Sequence, residues 1–309
     1  MARVAIVGAG AMGSVYAGLM ASAGHEVFAV TLWNEHAEAM ARHGLRVEGA
    51  SGDRTVPVHG STGTEGLDPC DLVVIGTKAA DVAAAARSAL PLLGSETVVQ
   101  TIQNGLGSAE RVAEILDPGR LVVGVVGGFG ASLRAPGHVH HNGMEMVRFA
   151  SYAGLPRAAL EASTEIWRSA GFRVVLFDDP DRMVWEKLIV NVAFSATSCL
   201  TGMAIGQVMS EPNAWRVARD CALEAVEVAD ARGINLQVGD PVEHIRSLGA
   251  RIPDARPSML LDHLARQRSE IEAINGAIPR EAAKVGLAAP VNATVVGLVK
   301  AREADFPDA

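Results

Sequence analysis

At 309 residues the chain is long for one hydrophobic core, so two domains are expected. It is 49% apolar and 20% charged, ordinary for a folded globular protein, and its net charge of −8 argues against nucleic acid or an anionic membrane as the main partner. Cys70, Cys199 and Cys221 are widely spaced and odd in number, which gives neither a disulfide framework nor a zinc pattern; reduced thiols in a cytoplasmic protein, with no metal site, are the expectation.

In chain order, Arg3–Val7 reads as a short β-branched strand starting too close to Met1 to leave room for a signal peptide. Gly8-Ala9-Gly10-Ala11-Met12-Gly13 follows, then an Ala-rich helical stretch from Val15 to Ala23, then Gly24 and a second strand, Glu26–Val30. Strand, glycine turn, helix and strand is the context that gives G-x-G-x-x-G its meaning. Gly8 permits the turn, Gly10 lets backbone approach a pyrophosphate, and Gly13 lets helix pack on strand. The amides of Ala11, Met12 and Gly13 at the helix start, with the helix dipole behind them, then hold phosphate. A dinucleotide-binding, Rossmann-type fold is expected.

Which dinucleotide is decided where the second strand ends, at the ribose. An acid there favours NAD, and a basic residue favours NADP. Thr31 occupies the place and is neutral, so nothing repels a 2′-phosphate, yet the nearest arginine, Arg42, is far along the chain. Glu35 suits the first turn of the next helix, where an acid complements the dipole. NADP and NAD both remain open on these residues.

The first half goes on alternating. Leu72–Ile75 is a buried strand leading to Thr77 and Lys78, with a helix over 79–90. Thr97–Ile102 is a strand ending at Gln103-Asn104-Gly105, and Leu121–Val126 precedes the glycine-rich 127–130. A helix over 156–170 and a strand over 172–177 complete a parallel, doubly wound sheet, whose ligands sit beyond the carboxyl ends of the strands, where Lys78 and Asn104 lie. Asp178-Asp179-Pro180-Asp181 reads as a linker. Beyond it only helical periods appear, over roughly 183–200, 212–232, 240–248, 257–277, 278–286 and 290–302. The expected architecture is α/β: a dinucleotide-binding domain over 1–178, then an all-helical domain over 182–309. No apolar run approaches the ~18 residues needed to span a bilayer.

Lys187, Asn191 and Ser195 fall at i, i+4 and i+8, one face of a mostly apolar helix. A lysine there is costly unless paired or functional, although one that snorkels at the helix edge fits equally well. Ser258-Met-Leu-Leu-Asp262, running on to Glu270-Ile-Glu-Ala-Ile-Asn-Gly276, reads by periodicity as an amphipathic helix with a solvated charged face.

Taken together, G-x-G-x-x-G at the start, T-K at 77–78, Q-N-G at 103–105, K-L-x-x-N at 187–191, S-M-L-x-D…E-I-x-x-I-N-G at 258–276 and the closing Pro290-Val-Asn292 resemble the ketopantoate reductases across nearly the whole chain. The resemblance implies a nicotinamide-dependent reductase of a small 2-keto acid, ketopantoate being the first candidate. Lys187 then matches the general acid, and Glu270 the acid that binds the substrate hydroxyl and positions the lysine. Asn104 and Asn191 match amides lining the nicotinamide and substrate, and Ser258 the serine holding the substrate carboxylate. Ser195 stands where the family often has a second asparagine. The family's NADP-specific members carry an arginine where this chain has Leu32-Trp33, and its NAD-using branch shows acid-x-Trp, of which only Trp33 is present. The balance leans to NADP, and a homodimer is implied by the family's dimers. The alternatives are a D-2-hydroxyacid dehydrogenase with a bulkier substrate and a non-catalytic dinucleotide sensor. On a straight helix Ser258 and Glu270 would stand about 18 Å apart, too far for one small ligand unless the segment bends.

Overall fold

The computed structural model describes residues 1–128, 130–143 and 146–307. The chain divides into two compact units, one of Met1–Gln103 with Ser108–Pro180 and one of Asn104–Gly107 with Asp181–Ala309.

The first unit is built on strands β1 (Arg3–Val7), β2 (Glu26–Val30), β5 (His59–Ser61), β6 (Cys70–Ile75), β7 (Leu93–Thr101), β8 (Leu121–Gly127), β11 (Met146–Ser151) and β12 (Val174–Phe177). They form one eight-stranded sheet in the order β12-β11-β8-β7-β6-β1-β2-β5. Strand β1 is flanked by β2 and β6, both parallel to it. The chain therefore reverses its direction of winding at β1, and the crevice beyond the carboxyl ends of β1 and β6 is the topological switch point where such sheets bind ligands. The sheet is not wholly parallel as expected, because β11 runs antiparallel to β8.

Helices α1 (Ala11–Ser22), α2 (Asn34–His43), α3 (Val82–Ala89), α4 (Ser108–Ala113) and α5 (Arg157–Ser169) belong to this unit. Trp167 of α5 is fully buried and meets Tyr16 of α1 edge-on at 5.0 Å and Phe172 at 4.9 Å. Its indole N–H donates to Gln100 Oε1 at 2.6 Å, satisfying the one polar group that this burial would otherwise strand.

A second sheet of this unit was not foreseen from the sequence. Strands β3 (Leu45–Gly49), β4 (Arg54–Val56), β9 (Gly130–Ala135) and β10 (His138–Gly143) pair in the order β4-β3-β10-β9. Leu45 and Val47 point inward while Arg46 points out, a clean alternation that is merely short. Gly130, expected within a glycine-rich turn, begins β9, and Phe129 lies outside the described residues.

The second unit holds helices α6 (Pro180–Thr201), α7 (Ile205–Ser210), α8 (Pro212–Ala231), α9 (Pro241–Arg251), α10 (Ser258–Leu264), α11 (Ala277–Lys284) and α12 (Pro290–Glu303), and no strand among its described residues. The expected linker is shorter than read: Pro180 opens α6, since proline suits a first helical turn, whose amide has no partner in any case. Helix α6 is apolar on almost every side, with Leu188, Ile189, Val192 and Phe194 all buried. Asn275 fastens it, donating from Nδ2 to the Val192 carbonyl at 2.9 Å and to Asn292 Oδ1 at 2.9 Å. Asn292 donates in turn to the Cys221 carbonyl at 3.0 Å, while Glu224 of α8 caps α12 by accepting from the amides of Val291 at 2.8 Å and Asn292 at 2.9 Å.

The long helix expected over 257–277 is broken. Helix α10 ends at Leu264, Arg266 takes φ +54°, and the Arg266 and Gln267 amides bond back to His263 at 3.1 Å and Asp262 at 2.8 Å. These are the paired closing bonds of a Schellman motif, which elsewhere in this chain, at Gly24, Gly171 and Gly233, falls on glycine. An arginine in that conformation costs about 1–2 kcal/mol and gives no stop signal in sequence. Residues 271–276 then wind through turns into α11.

Candidate active site

In the first unit, the segment from Gly8 to Gly13 closes the end of β1 onto α1. The Gly8 and Ala9 amides donate to the Val30 carbonyl at 2.9 and 2.8 Å, which fixes the turn against β2. Gly8 has φ +105°, and a Cβ there would stand 2.5 Å from the Thr77 backbone nitrogen, so only glycine fits between the ends of β1 and β6. A Cβ on Gly13 would strike the Gly8 carbonyl oxygen, whereas one on Gly10 would meet nothing within 4 Å. Gly10 thus borders open space at the start of α1, a helix with no side-chain cap. The first-turn amides of Ala11, Met12 and Gly13 have no acceptor within their helix and form an anion cradle. These residues fit the pyrophosphate of a dinucleotide.

The rim of the cradle is held by a buried histidine. His36 of α2 accepts from the Gly137 amide at its Nδ1, 2.9 Å, so its Nε2 carries the proton and donates to Ser14 Oγ of α1 at 2.9 Å. Ser14 passes a hydrogen bond on to the Ala9 carbonyl at 3.2 Å. Burial holds the His36 pKa below its ordinary value, in keeping with this neutral ring. Trp33 stacks on its face at 5.4 Å. Thr31 Oγ1 accepts from the Trp33 amide at 3.3 Å, and Leu32 is almost fully exposed. Lys78 is exposed at the entry to a short 3-10 turn, Ala79–Asp81, beyond β6. Gln103, read only as part of a motif, ties β7 to β6 by donating to the carbonyls of Ile75 at 2.7 Å and Thr77 at 3.0 Å.

The second unit gathers the polar side chains. Asn104 Oδ1 accepts from Lys187 Nζ at 2.6 Å, and its Nδ2 points to Glu270 Oε2 at 3.5 Å. The amide orientation follows from its neighbours, oxygen to the ammonium and nitrogen to the carboxylate. Three groups from three parts of the sequence are thereby joined. The Asn104–Gly107 segment docks because Gly105, at φ +81°, lies against the Ala273 carbonyl with no room for a Cβ, and the Leu106 amide donates to that carbonyl at 2.9 Å. Lys187 and Asn191 are half-buried on α6 and Ser195 is buried one turn further on. Ser258 is exposed on the first turn of α10 and makes none of the bonds above. Because the helix ends at Leu264, the straight-helix separation of Ser258 and Glu270 does not apply.

The arrangement is suited to acid–base work at a small polar ligand: an ammonium donor, an amide and a carboxylate set on a half-buried face. Asn275 and Asn292, of the I-N-G and P-V-N motifs, knit helices together. Among the described residues no group of three or more His, Cys, Asp or Glu is placed to hold a metal ion, and no helix is long and apolar enough to cross a membrane.

Two family models match the chain, "Ketopantoate reductase PanE/ApbA" over residues 4–154 and "Ketopantoate reductase PanE/ApbA C terminal" over 179–303. The 2-dehydropantoate 2-reductase of Halobacterium salinarum is 31% identical over 304 residues, covering 98% of this chain and 99% of the relative. A PanE/ApbA family ketopantoate reductase from Ralstonia eutropha superposes with a TM-score of 0.87 at 32% identity, over 97% of this chain and 98% of its own. A D-mandelate dehydrogenase solved with NADH and anilino(oxo)acetate shares the fold, with a TM-score of 0.90 at 24% identity over 98% and 99% of the two chains. The chain belongs to the ketopantoate reductase family of oxidoreductases.

Proposed function

We propose that this protein reduces a small 2-keto acid to its (R)-2-hydroxy acid, with 2-dehydropantoate as the first substrate to test and Lys187 as the proton donor. The observation that carries this reading is the Lys187–Asn104–Glu270 cluster, in a chain of this family. A bound nicotinamide dinucleotide supplies the hydride; Gly8, Gly10 and the amides of Ala11, Met12 and Gly13 hold its pyrophosphate, with Thr31 at the ribose and Lys78 on the same rim.

The residues of the second unit handle the proton and the substrate. Lys187 Nζ donates its proton to the C2 oxygen as negative charge develops there, and its own charge stabilises that oxygen beforehand. Asn104 holds the ammonium in place through a 2.6 Å hydrogen bond. Glu270 receives the substrate hydroxyl and helps to position the lysine through Asn104. Asn191 and Ser195 line the substrate, and Ser258 takes its carboxylate. A dinucleotide-binding domain over 1–178 and a substrate domain over 182–309 divide the labour, in a cytoplasmic homodimer.

NADP is the favoured cofactor, because Thr31 presents no charge to repel a 2′-phosphate. The absent arginine removes a charge-assisted bond worth about 1.5–3 kcal/mol, so discrimination against NADH should be modest, about tenfold. Steady-state assays of a panel of 2-keto acids, branched and aromatic, with both cofactors test all of this. Turnover of 2-dehydropantoate above the others is expected, and a larger aromatic substrate winning would instead make the protein a D-2-hydroxyacid dehydrogenase. Cofactor binding without turnover of any 2-keto acid would make it a sensor and overturn the proposal.

A further inference from the structure

Residues on either side of the break in 258–276, the last of them next to Glu270, are gripped from the end of α12. Glu303 is buried, with a single carboxylate oxygen, Oε1, accepting from the Ser269 amide at 2.8 Å, Ser269 Oγ at 2.6 Å and His263 Nε2 at 2.9 Å. Burying a charge is costly unless it is fully hydrogen-bonded, so this geometry defines one position for Ser269 and tolerates little drift. Ser269 is the residue immediately before Glu270.

The neighbours of Glu303 complete the clamp. Arg302 Nη1 donates to the carbonyls of Cys199 at 2.7 Å and Leu200 at 3.1 Å, the closing carbonyls of α6, on which Lys187 sits. On the far side, the Arg266 guanidinium lies over the Phe306 ring at 5.2 Å and donates to the Asp305 carbonyl at 2.9 Å. Arg266 is the one non-glycine residue at positive φ among those described. The last turn of α12 and the residues after it therefore hold α6, the left-handed break and Ser269 together.

We infer that Glu303 is a positioning residue for the reaction: through Ser269 it fixes Glu270 in register with Lys187 and Asn104. This rests on the proposed role of Glu270, but the clamp itself is measurable without substrate. Misplacing a group by about an ångström can cost up to a hundredfold in rate. Glu303→Ala should lower kcat/KM for the 2-keto acid about tenfold to a hundredfold, with cofactor affinity unchanged within about twofold. Glu303→Gln, which keeps an acceptor for Ser269, should recover most of the loss.

The decisive readout is a double-mutant comparison. If Glu303 acts through Glu270, then Glu303→Ala placed in a Glu270→Gln background should cost less than about twofold more, whereas a general structural role would exact its full penalty again. Hydrogen exchange on the whole protein gives an independent answer: amides of 265–276 should exchange at least about tenfold faster in Glu303→Ala, those in the middle of α6 and α8 unchanged. Should Glu303→Ala fail to fold, Ser269→Ala removes one of the three donors and should give the same pattern in milder form. Full additivity with Glu270→Gln, or unaltered exchange over 265–276, overturns the inference. A wild-type protein that turns over no 2-keto acid would sink the functional reading alone, since the exchange experiment still decides the clamp.

Discussion

The two units offer their ligands opposite kinds of surface. The cradle of the first is made of backbone: a Gly8 at positive φ, an α1 without a side-chain cap and first-turn amides with no acceptor in their own helix. The cluster of the second is made of side chains, Lys187, Asn104 and Glu270, from three distant stretches. A backbone cradle is spelled locally, because glycine spacing is itself the geometry. A side-chain cluster exists only once distant segments have packed, so its members look ordinary one at a time.

The largest effect should come from breaking the side-chain half. Lys187→Ala is expected to cut turnover by about 10²–10⁴, the range for loss of a general acid. Single-turnover kinetics would check it, and retention of more than about a tenth of wild-type turnover, with chemistry rate-limiting, removes Lys187 from the role. The backbone half should break differently. Gly8→Ala forces a Cβ against Thr77 at φ +105°, strain of about 1–3 kcal/mol, equivalent to roughly tenfold to a hundredfold in cofactor affinity if the turn shifts to relieve it. Fluorescence titration reads this directly, and affinity within about twofold of wild type would mean that the cradle is not set by Gly8.

That difference also explains what was legible in the sequence. The G-x-G-x-x-G turn, the strands beside it and the helical periods of the second half outside 257–277 appear where their residues place them, because each signal is local, while the short α7 went unread. Arg266 was illegible, since a helix that stops on arginine leaves no glycine or proline as a marker, and the tail residues Asp305 and Phe306 that hold it are far away in sequence. The β3, β4, β9 and β10 sheet was missed because three-to-six-residue strands rich in Arg, His and Gly carry too few apolar positions to show a period. Lys187 could be singled out by its apolar helix, but its partner Asn104 rests on Gly105 meeting Ala273, a contact that no spacing encodes.

A smaller effect concerns the rim that joins α1 to α2. Burial holds the His36 pKa below its ordinary value near ~6.5, so as the pH falls the unfolded chain takes up that proton first. The folded state then loses stability from about pH 6.5 downward, through the lower folded pKa, and keeps it above. Protonation would also turn Nδ1 into a donor facing the Gly137 amide. Urea midpoints at pH 7.5 and 5.5 should fall further for the wild type than for His36→Gln; equal falls would show that His36 is not the buried neutral group.

The division of labour is tested most directly by reading both halves in one variant. Glu270→Gln removes a carboxylate from the second unit and alters no residue of the cradle. With substrate kinetics and cofactor titration measured on the same preparation, kcat/KM for the 2-keto acid should fall by at least about tenfold, while the cofactor dissociation constant stays within about twofold of wild type. A large rise in that dissociation constant beside a normal substrate KM would contradict the account and move Glu270 to the cofactor side.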